Sequence, residues 1–305
     1  MKVAVTTSSF AQFSDEPVRL LTGAGLEVAH NPYGRVLTED EAVMVLSGCA
    51  GVCAGTEPLT AAVFDRLPGL KVISRCGTGM DNVDLAEAQK RGIAVRNTPD
   101  APTRPVAELV LGLALDLLRH ISAMDRTMRQ GEWKKQTGRL LQGKVLGIIG
   151  LGRIGRAVAE MFRFLGCEIL YYDPFVPECS GCTPLPLNDL LVRADIVTLH
   201  CPKTADGKPL IGDEEIRAMK DGAYLINAAR GGLVDEASLY SALNTKKLAG
   251  AAVDVFVKEP YTGPLLELSN VLLTPHIGSA AKEARIRMEV DAVNNLLQAL
   301  GAVPK

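Results

Sequence analysis

This sequence of 305 residues contains no long apolar run, and its net charge is small. No stretch approaches the roughly 20 uncharged apolar residues that span a bilayer, so we expect no transmembrane helix. The first residues, MKVAVTTSSF, become polar too soon to form the apolar core of a signal peptide. The net charge is −2, and no basic stripe provides the surface that nucleic-acid binding needs. We therefore expect a cytoplasmic protein that binds neither membranes nor nucleic acids.

Cysteine and histidine are also few, with seven and four residues. The odd number of cysteines does not suit a disulfide framework, and several lie in apolar segments, so free thiols in a reducing compartment are the expected state. Cys179 and Cys182 have the C-x-x-C spacing, but no second cysteine pair or histidine accompanies them at metal-ligand spacing. We therefore expect no metal site and interpret this pair as ordinary thiols.

Aliphatic residues and glycine replace the aromatic residues, which make up only 5% of the chain. This composition is typical of α/β proteins, whose buried strands are aliphatic. Short aliphatic runs alternate with amphipathic segments, which predicts parallel β-α-β units in two successive series. The predicted strands are Val3–Thr6, Leu26–Ala29, Gly51–Ala54, Lys71–Arg75 and Ile93–Val95 in the first series, and Val145–Ile149, Ile169–Tyr172, Ile196–Leu199, Ala223–Ile226, Gly250–Val253 and Val271–Leu273 in the second.

A proline-rich segment, Asn97–Pro105, separates the two series and predicts a loop. The mostly apolar segment Val106–His120 follows it and predicts a long buried helix that connects two domains. Thr38 and Glu41 have the spacing of a capping box, so a helix is expected to begin there. The last predicted helix is Ala280–Leu300.

A glycine-rich turn follows the predicted strand Val145–Ile149 directly, with G-x-G-x-x-G spacing at Gly150, Gly152 and Gly155. Apolar residues recur at helical spacing after it, so the turn lies between a strand and a helix, the context of a dinucleotide site. The first glycine permits the tight turn, the second lets a pyrophosphate approach the backbone, and the third lets helix and strand pack closely. The sequence therefore predicts a bound dinucleotide, with its phosphates at the start of the helix.

The next predicted strand, Ile169–Tyr172, leads into Asp173. A carboxylate at this position can accept hydrogen bonds from the adenosine ribose hydroxyls and would repel a 2′-phosphate. The sequence therefore favours NAD over NADP.

The last three predicted strands lead into Arg230, Glu259 and His276. Because the ends of parallel strands share one edge of a sheet, these side chains can meet beside a nicotinamide ring. Arg230 can hold a carboxylate through two hydrogen bonds, His276 can exchange a proton with a carbonyl oxygen, and Glu259 can stabilise the imidazolium. Each residue alone has a plainer explanation as an ion pair or a helix cap. Together they predict hydride transfer between a 2-hydroxy acid and a 2-keto acid.

A second glycine-rich turn follows the predicted strand Lys71–Arg75 and includes Gly77 and Gly79. The N–H groups of Gly77–Gly79 are expected to be able to bind a substrate carboxylate. A purely structural turn into the helix that begins at Asp84 explains the same residues equally well.

These segments together resemble the D-isomer-specific 2-hydroxyacid dehydrogenase family, and within it the chain looks most like D-3-phosphoglycerate dehydrogenases. The resemblance covers nearly the whole chain. It implies two doubly wound parallel-sheet domains: a flavodoxin-like substrate domain at residues 1–98 plus 281–305, and a Rossmann NAD-binding domain at residues 99–280. The blocks that carry it are Arg75–Asp84, Val106–Glu108, Leu151–Gly155, Asn227–Asp235, Asp254–Phe256 with Glu259–Pro260, and Pro275–Gly278.

The resemblance also implies the residues of the site, with Arg230, Glu259 and His276 as the catalytic residues. Substrate contacts are implied at Arg75, Gly77, Thr78, Gly79, Arg230 and His276. Cofactor contacts are implied at Thr78, Gly150, Gly152, Arg153, Ile154, Gly155, Asp173, Cys201, Pro202, Ala228, Ala229, Arg230, Asp254, His276 and Gly278. Family members are usually homodimers, with the Val106–His120 region in the interface.

The resemblance makes 3-phosphoglycerate, a substrate of serine biosynthesis, the first expectation, but the chain departs from that pattern in two ways. It stops at Lys305, so the regulatory domain of longer relatives, and feedback by serine, is not expected. Some relatives also carry an arginine for the substrate phosphate after the third strand, where this chain has Ala54–Pro58. Arg75 and Arg104 remain as candidate phosphate ligands. Glyoxylate or hydroxypyruvate reduction is therefore the alternative.

A third hypothesis belongs to another functional class. The family also contains transcriptional corepressors, so an NAD-sensing binding protein is the alternative to an enzyme. All three catalytic positions are filled in this chain, and no long tail is present, which favours an enzyme.

Overall fold

The computed structural model describes residues 1–302 and contains two compact units. Unit 1 comprises Met1–Pro102 and Ser279–Lys305, and unit 2 comprises Thr103–Gly278. The first boundary lies after residue 102, where residue 98 was predicted. The second lies after residue 278, where residue 280 was predicted. Each unit is built on its own parallel sheet, which confirms the predicted α/β fold with two parallel-sheet domains.

The strands of unit 1 are β1 (Lys2–Val5), β2 (Glu27–His30), β3 (Gly51–Ala54), β4 (Val72–Arg75) and β5 (Ala94–Asn97). Those of unit 2 are β6 (Val145–Ile149), β7 (Glu168–Tyr172), β8 (Thr183–Pro184), β9 (Ile196–Leu199), β10 (Ala223–Asn227), β11 (Leu248–Val253) and β12 (Val271–Leu273). The sheet of unit 1 has the strand order β2-β1-β3-β4-β5, and that of unit 2 has the order β12-β11-β10-β9-β6-β7-β8. Every predicted strand is present, and among residues 1–302 only the two-residue β8 was not predicted.

Helices cover both sheets and connect successive strands. They are α1 (Glu16–Gly23), α2 (Glu39–Leu46), α3 (Ala61–Asp65), α4 (Leu85–Lys90), α5 (Thr103–Arg119), α6 (Ile121–Arg129), α7 (Arg153–Phe164), α8 (Leu187–Arg193), α9 (Asp213–Ala218), α10 (Glu236–Asn244) and α11 (Lys282–Leu300), with a 3₁₀ turn at Pro264–Glu267. Among residues 1–302, no helix combines the length and the apolar character needed to cross a membrane.

Unit 1 has an apolar core on each face of its sheet, because successive side chains of a strand point to opposite faces. In β3, Val52 and Ala54 belong to one core, and Cys53 belongs to the other. Helix α11 packs against α1 and against β3, β4 and β5. Gly51 leaves room for this helix, since a Cβ there would lie 2.6 Å from Cδ1 of Leu296.

The capping box at the start of α2 is confirmed. The Thr38 hydroxyl accepts a hydrogen bond from the Glu41 N–H at 3.4 Å, and the Glu41 carboxylate accepts one from the Thr38 N–H at 2.9 Å. Two N–H groups that have no partner within the helix are thereby satisfied.

The proline-rich segment is only partly a loop, because α5 already begins at Thr103. The loop prediction is therefore wrong for residues 103–105. Pro105 lies in the first turn of the helix, where its missing N–H would have no partner within the helix and therefore costs little. The helix predicted as a connector lies entirely in unit 2, where it packs against α7.

Helix α6 was not predicted. It contains more polar than apolar residues, and none of its side chains is buried. Its apolar residues Ile121, Met124 and Met128 do recur at helical spacing, which was the available signal for this helix.

Strand β9 leads into a histidine that packs against the glycine-rich turn. A Cβ on Gly150 would lie 2.7 Å from the carbonyl carbon and oxygen of His200. The Nε2 atom of His200 lies 3.0 Å from the Thr198 hydroxyl, and its Nδ1 atom is buried. Burial lowers the pKa of His200 to about 3.

This histidine should make the protein less stable in acid. The unfolded chain, in which the pKa of His200 is 6.5, takes up a proton that the folded chain refuses until about pH 3. The free energy of unfolding should therefore fall by about 1.4 kcal/mol for each pH unit below 6.5, or about 2 kcal/mol by pH 5. Urea unfolding at about pH 7 and pH 5 should show this fall, and His200→Gln should remove it.

The matched control is His30→Gln, which changes an exposed histidine at the end of β2. It should keep the wild-type difference between the two pH values. A His200→Gln variant that loses as much stability as the wild type would contradict the assigned burial.

Candidate active site

The G-x-G-x-x-G turn connects β6 to α7, as predicted. Gly150 has a φ of +93°, a conformation that residues with a side chain rarely adopt. A Cβ on Gly155 would lie 2.1 Å from the carbonyl oxygen of Gly150, so only glycine allows the helix to approach the turn this closely. A Cβ on Gly152 would meet no atom within 4 Å, so the backbone is open to a ligand there.

The start of α7 suits an anionic group. Gly152 is the N-cap residue, and no side chain caps the helix. Arg153 and Ile154 are the first two residues of the helix, so their N–H groups have no acceptor within it. These N–H groups and the helix dipole can hold a pyrophosphate. The residues present therefore fit a dinucleotide.

Asp173 follows β7 and joins the glycine-rich turn to the segment after the strand. Its Oδ2 atom accepts a hydrogen bond from the Leu151 N–H at 2.7 Å, and its Oδ1 atom accepts one from the Phe175 N–H at 2.8 Å. Each carboxylate oxygen has capacity for a further donor. The predicted ribose contact is compatible with this geometry, and the carboxylate also orders the turn itself.

The end of β9 lies against the same turn. A Cβ on Gly150 would lie 2.8 Å from the backbone nitrogen of Cys201. Cys201 is partly buried and Pro202 is exposed. Burial raises the pKa of the Cys201 thiol to about 11, so the group is neutral at physiological pH.

The three predicted catalytic residues follow the neighbouring strands β10, β11 and β12. Arg230 lies in the loop after β10, and its Nη1 atom donates to the carbonyl oxygen of Ala229 at 2.8 Å. Glu259 lies in the loop after β11, and His276 lies in the loop after β12. All three belong to unit 2, together with the glycine-rich turn.

Glu259 and His276 form a hydrogen-bonded pair. The distance from Glu259 Oε2 to His276 Nδ1 is 2.8 Å. The other carboxylate oxygen of Glu259 accepts from the Phe256 N–H at 3.0 Å, which fixes the orientation of the carboxylate. Since Nδ1 is engaged, Nε2 is the nitrogen that remains for proton exchange, and 52% of the His276 side chain is exposed.

A buried carboxylate holds the loop that carries His276. Asp254 is 0% exposed, and it accepts hydrogen bonds from the Thr274 hydroxyl at 2.6 Å and from the N–H groups of Ile277 and Gly278 at 2.8 and 2.9 Å. Burial raises the pKa of Asp254, while these three donors oppose the rise. The cofactor contact that the resemblance implies at Asp254 stays a prediction, and the hydrogen bonds of this residue in the structure go to the loop.

Two further residues shape the site and were not predicted. Asn227 is 3% exposed; its side chain accepts from the Ala229 N–H at 3.1 Å and donates to the Arg230 carbonyl at 3.0 Å. A Cβ on Gly231 would lie 1.8 Å from the carbonyl oxygen of Phe256, so Gly231 lets the loops after β10 and β11 touch. A polar residue at the end of an apolar strand was the available signal for Asn227. Spacing gave no signal for the contact of Gly231.

The other predicted ligands, Arg75, Gly77, Thr78 and Gly79, follow β4 in unit 1. The Gly77 N–H donates to the Thr98 hydroxyl at 2.8 Å, so this donor has a partner within unit 1, and its predicted contact with an anion stays a prediction. Gly77 instead makes room for Arg75, because a Cβ there would lie 2.5 Å from Nη1 of that arginine. Thr78 is exposed.

The loop after β3 places a carboxylate near Arg75. Glu57 is 1% exposed and accepts hydrogen bonds from the Thr6 hydroxyl and from the Gly55 N–H. Burial raises the pKa of Glu57, and the charge of Arg75 acts against this rise. Arg104, the other predicted phosphate ligand, belongs to α5 and forms an ion pair with Glu108 at 2.9 Å. Within residues 1–302, no group of three or more His, Cys, Asp or Glu side chains converges on a metal site.

Comparison with known proteins identifies the family of this chain. Residues 111–278 match the family model of the D-isomer specific 2-hydroxyacid dehydrogenase NAD-binding domain. The chain is 44% identical over 242 residues to a D-3-phosphoglycerate dehydrogenase of Methanocaldococcus jannaschii, which covers 77% of this chain and 46% of that protein. It is 43% identical over 268 residues to a glyoxylate reductase of Thermofilum pendens, which covers 83% of this chain and 79% of that protein.

The chain spans about half the length of the first phosphoglycerate dehydrogenases that it matches. The fold is similar to the crystal structure of a protein from Thermus thermophilus, with a TM-score of 0.91, 38% identity, and coverage of 99% of this chain and 97% of that one. Family model, relatives and fold agree, and the chain belongs to the D-isomer-specific 2-hydroxyacid dehydrogenases, with the NAD-binding domain of that family in unit 2.

Proposed function

We propose that this protein interconverts a D-2-hydroxy acid and a 2-keto acid, with NAD as the hydride carrier. The observation that carries the proposal is the hydrogen-bonded pair of Glu259 and His276, in loops after β11 and β12 of the sheet that also carries the dinucleotide turn; Arg230 follows the adjacent strand β10. Bound NADH would supply a hydride to the carbonyl carbon. The side chains of unit 2 supply the proton and the charge that this transfer needs.

His276 is the proposed general acid. Its Nε2 atom donates a proton to the carbonyl oxygen of the keto acid and takes one back in the reverse reaction. Each proton transfer changes the charge of the imidazole ring. Glu259, 2.8 Å from Nδ1, stabilises the imidazolium and keeps the ring in one orientation.

Arg230 is the proposed ligand of the substrate carboxylate. A guanidinium can form two parallel hydrogen bonds to a carboxylate and place positive charge near the ketone oxygen. Asn227 and Ala229 fix the loop from which this side chain extends. The substrate contacts that the resemblance implies at Arg75, Thr78 and Gly79 of unit 1 are kept as part of the proposal.

Removal of the imidazole should abolish most of the activity. His276→Ala should lower kcat by roughly a hundredfold or more, the scale of lost general acid catalysis. Glu259→Gln should lower kcat less, because the amide can still contact Nδ1 but does not stabilise the charged ring. Steady-state kinetics of keto-acid reduction give both values, and NADH titration serves as the control, since both variants keep the glycine-rich turn and Asp173. An unchanged kcat in His276→Ala would refute the role of this residue.

For the substrate, we favour a small unphosphorylated 2-keto acid such as glyoxylate or hydroxypyruvate over 3-phosphoglycerate. The loop after β3 adds no positive charge near Arg75. An ionised Glu57 would repel a substrate phosphate that binds near Arg75. A protonated Glu57 would be neutral and would add no positive charge to attract that phosphate. A phosphate dianion gains more from added cations than the hydroxymethyl group of hydroxypyruvate does. Phosphoglycerate oxidation, with a place in serine biosynthesis, is the alternative favoured by the relatives of that name.

A kinetic panel tests the reaction and the substrate together. It measures kcat/KM for reduction of glyoxylate and hydroxypyruvate with NADH and NADPH, and for oxidation of lactate, glycerate and 3-phosphoglycerate with NAD. We expect preference for NADH over NADPH, and at least a tenfold preference for glycerate over 3-phosphoglycerate, which corresponds to about 1.4 kcal/mol. A higher kcat/KM for the phosphorylated acid would reverse the substrate proposal. Binding of NADH without reduction of any keto acid would favour the NAD-sensing protein.

We further propose that the protein is a cytoplasmic homodimer. All seven cysteines are free, which supports a reducing compartment. An extended segment after α6 exposes Trp133 to 78% and Leu140 to 70%, and Ile121 and Met128 of α6 are each more than half exposed. Exposed apolar side chains concentrated in one segment are typical of a subunit contact. A second copy of the chain would cover them.

Charge introduced into this segment should separate the subunits. The double variant Trp133→Glu and Leu140→Glu should sediment as a monomer at a concentration where the wild type is a dimer. Met44→Glu is the control, because Met44 is an equally apolar and 59% exposed side chain on α2 of unit 1. A monomeric wild type, or a double variant that remains dimeric, would contradict this interface.

A further inference from the structure

The C-x-x-C pair lies in the segment that follows the proposed ribose ligand. This segment connects β7 to β8 and begins immediately after Asp173. Its path is fixed where the Tyr171 hydroxyl donates to the Val176 carbonyl at 3.2 Å. Both Cys179 and Cys182 are partly buried, so reagents in solution can reach them, unlike the fully buried thiols of unit 1.

The backbone brings the two thiols together. The Cys182 N–H donates to the Cys179 carbonyl at 3.1 Å, and Gly181 has a φ of +75°, so the four residues form a β-turn. The end residues of such a turn have Cα atoms within about 7 Å of each other. Disulfide-bonded cysteines have Cα atoms about 4.4–6.8 Å apart. The β-turn therefore brings the two Cα atoms into the range that a disulfide needs.

Two arginines of α7 surround this turn. The Arg156 Nη1 atom donates to the Cys179 sulfur at 3.7 Å. The guanidinium of Arg163 lies over Gly181, where a Cβ would be 2.5 Å from its Nη1 atom. Neighbouring cations stabilise the thiolate that attacks an oxidant. Arg156 contacts the sulfur of Cys179, so we assign the first attack to Cys179, and Cys182 at the other end of the turn is the thiol left to resolve the oxidation product.

We propose that Cys179 and Cys182 form a reversible disulfide under peroxide, and that this bond weakens NADH binding at Asp173. The Cys179 thiolate attacks one peroxide oxygen, the O–O bond breaks, and hydroxide leaves and takes up a proton to become water. Cys179 is then a sulfenic acid. The Cys182 sulfur attacks the Cys179 sulfur, the S–O bond breaks, and a second water leaves. The two sulfurs give two electrons to one peroxide, and a dithiol reductant reverses the change.

The effect on the cofactor follows from the contacts of the segment and rests on the proposed function. A disulfide brings the sulfurs to about 2.05 Å, which draws the Cys179 sulfur away from Arg156. The same segment carries the Phe175 N–H that holds Asp173 Oδ1 at 2.8 Å. Displacement of this donor disorders the carboxylate that we assign to the ribose. We expect the Kd for NADH to rise about fivefold, the scale of one lost hydrogen bond.

The test treats the full chain with hydrogen peroxide and maps the cysteines by peptide mass spectrometry. We expect loss of two hydrogens in the peptide that contains residues 179–182, recovery on treatment with dithiothreitol, and a parallel rise and fall of the Kd for NADH in a fluorescence titration. Cys179→Ser and Cys182→Ser should each abolish the disulfide and the change in Kd. Cys49→Ala, which removes a buried thiol of unit 1, should keep both.

The mapping and the titration separate two kinds of failure. A peptide that keeps both thiols while the folded protein is exposed to peroxide would overturn the proposal. A disulfide that forms without a change in the Kd for NADH would overturn the control of cofactor binding. If the fully reduced protein does not bind NADH, the proposed function fails instead, whereas the mass of the peptide still reports on the disulfide.

Discussion

Close backbone contact at the ends of parallel strands is the constraint on which the candidate site depends. A Cβ on Gly155 would lie 2.1 Å from the Gly150 oxygen, and a Cβ on Gly231 would lie 1.8 Å from the Phe256 oxygen. No side chain fits at either place. The first contact sets the position of α7 over the dinucleotide turn, and the second sets the loop of Arg230 against the loop that leads to Glu259. Any larger residue would move the chemistry as well as the backbone.

A buried carboxylate supplies the second constraint. Asp254 is 0% exposed, and removing an ionised carboxylate from water is costly unless hydrogen bonds compensate for it. The Thr274 hydroxyl and the N–H groups of Ile277 and Gly278 provide three such bonds, all from the segment around His276. His276 itself has a φ of +55°, an unfavourable conformation for a residue with a side chain. The carboxylate therefore stabilises the backbone conformation from which the imidazole reaches Glu259.

Sequence reasoning predicted the parts of the molecule that depend on local pattern. The strands follow from aliphatic runs, and Arg230, Glu259 and His276 follow from their positions after three of them. It did not foresee contacts between distant segments. The Gly77 N–H was predicted as an anion donor, and in the structure it donates to Thr98, 21 residues further along the chain. The resemblance implied a cofactor contact at Asp254, and nothing in the spacing indicated its hydrogen bonds to the loop after β12. Spacing alone does not report which partner a polar group finds.

The strand order separates Asp173, the proposed ribose ligand, from His276, the proposed general acid. Asp173 follows β7, and His276 follows β12, five strand intervals away in the order β12-β11-β10-β9-β6-β7. At about 4.8 Å per interval, the strand ends lie roughly 24 Å apart, so an elongated ligand is needed to connect the two groups. A dinucleotide has that form, and a mononucleotide does not. In the proposed reaction, changes near Asp173, including those at Cys179, should therefore act on cofactor affinity, while the chemical step would depend on the loops after β10, β11 and β12.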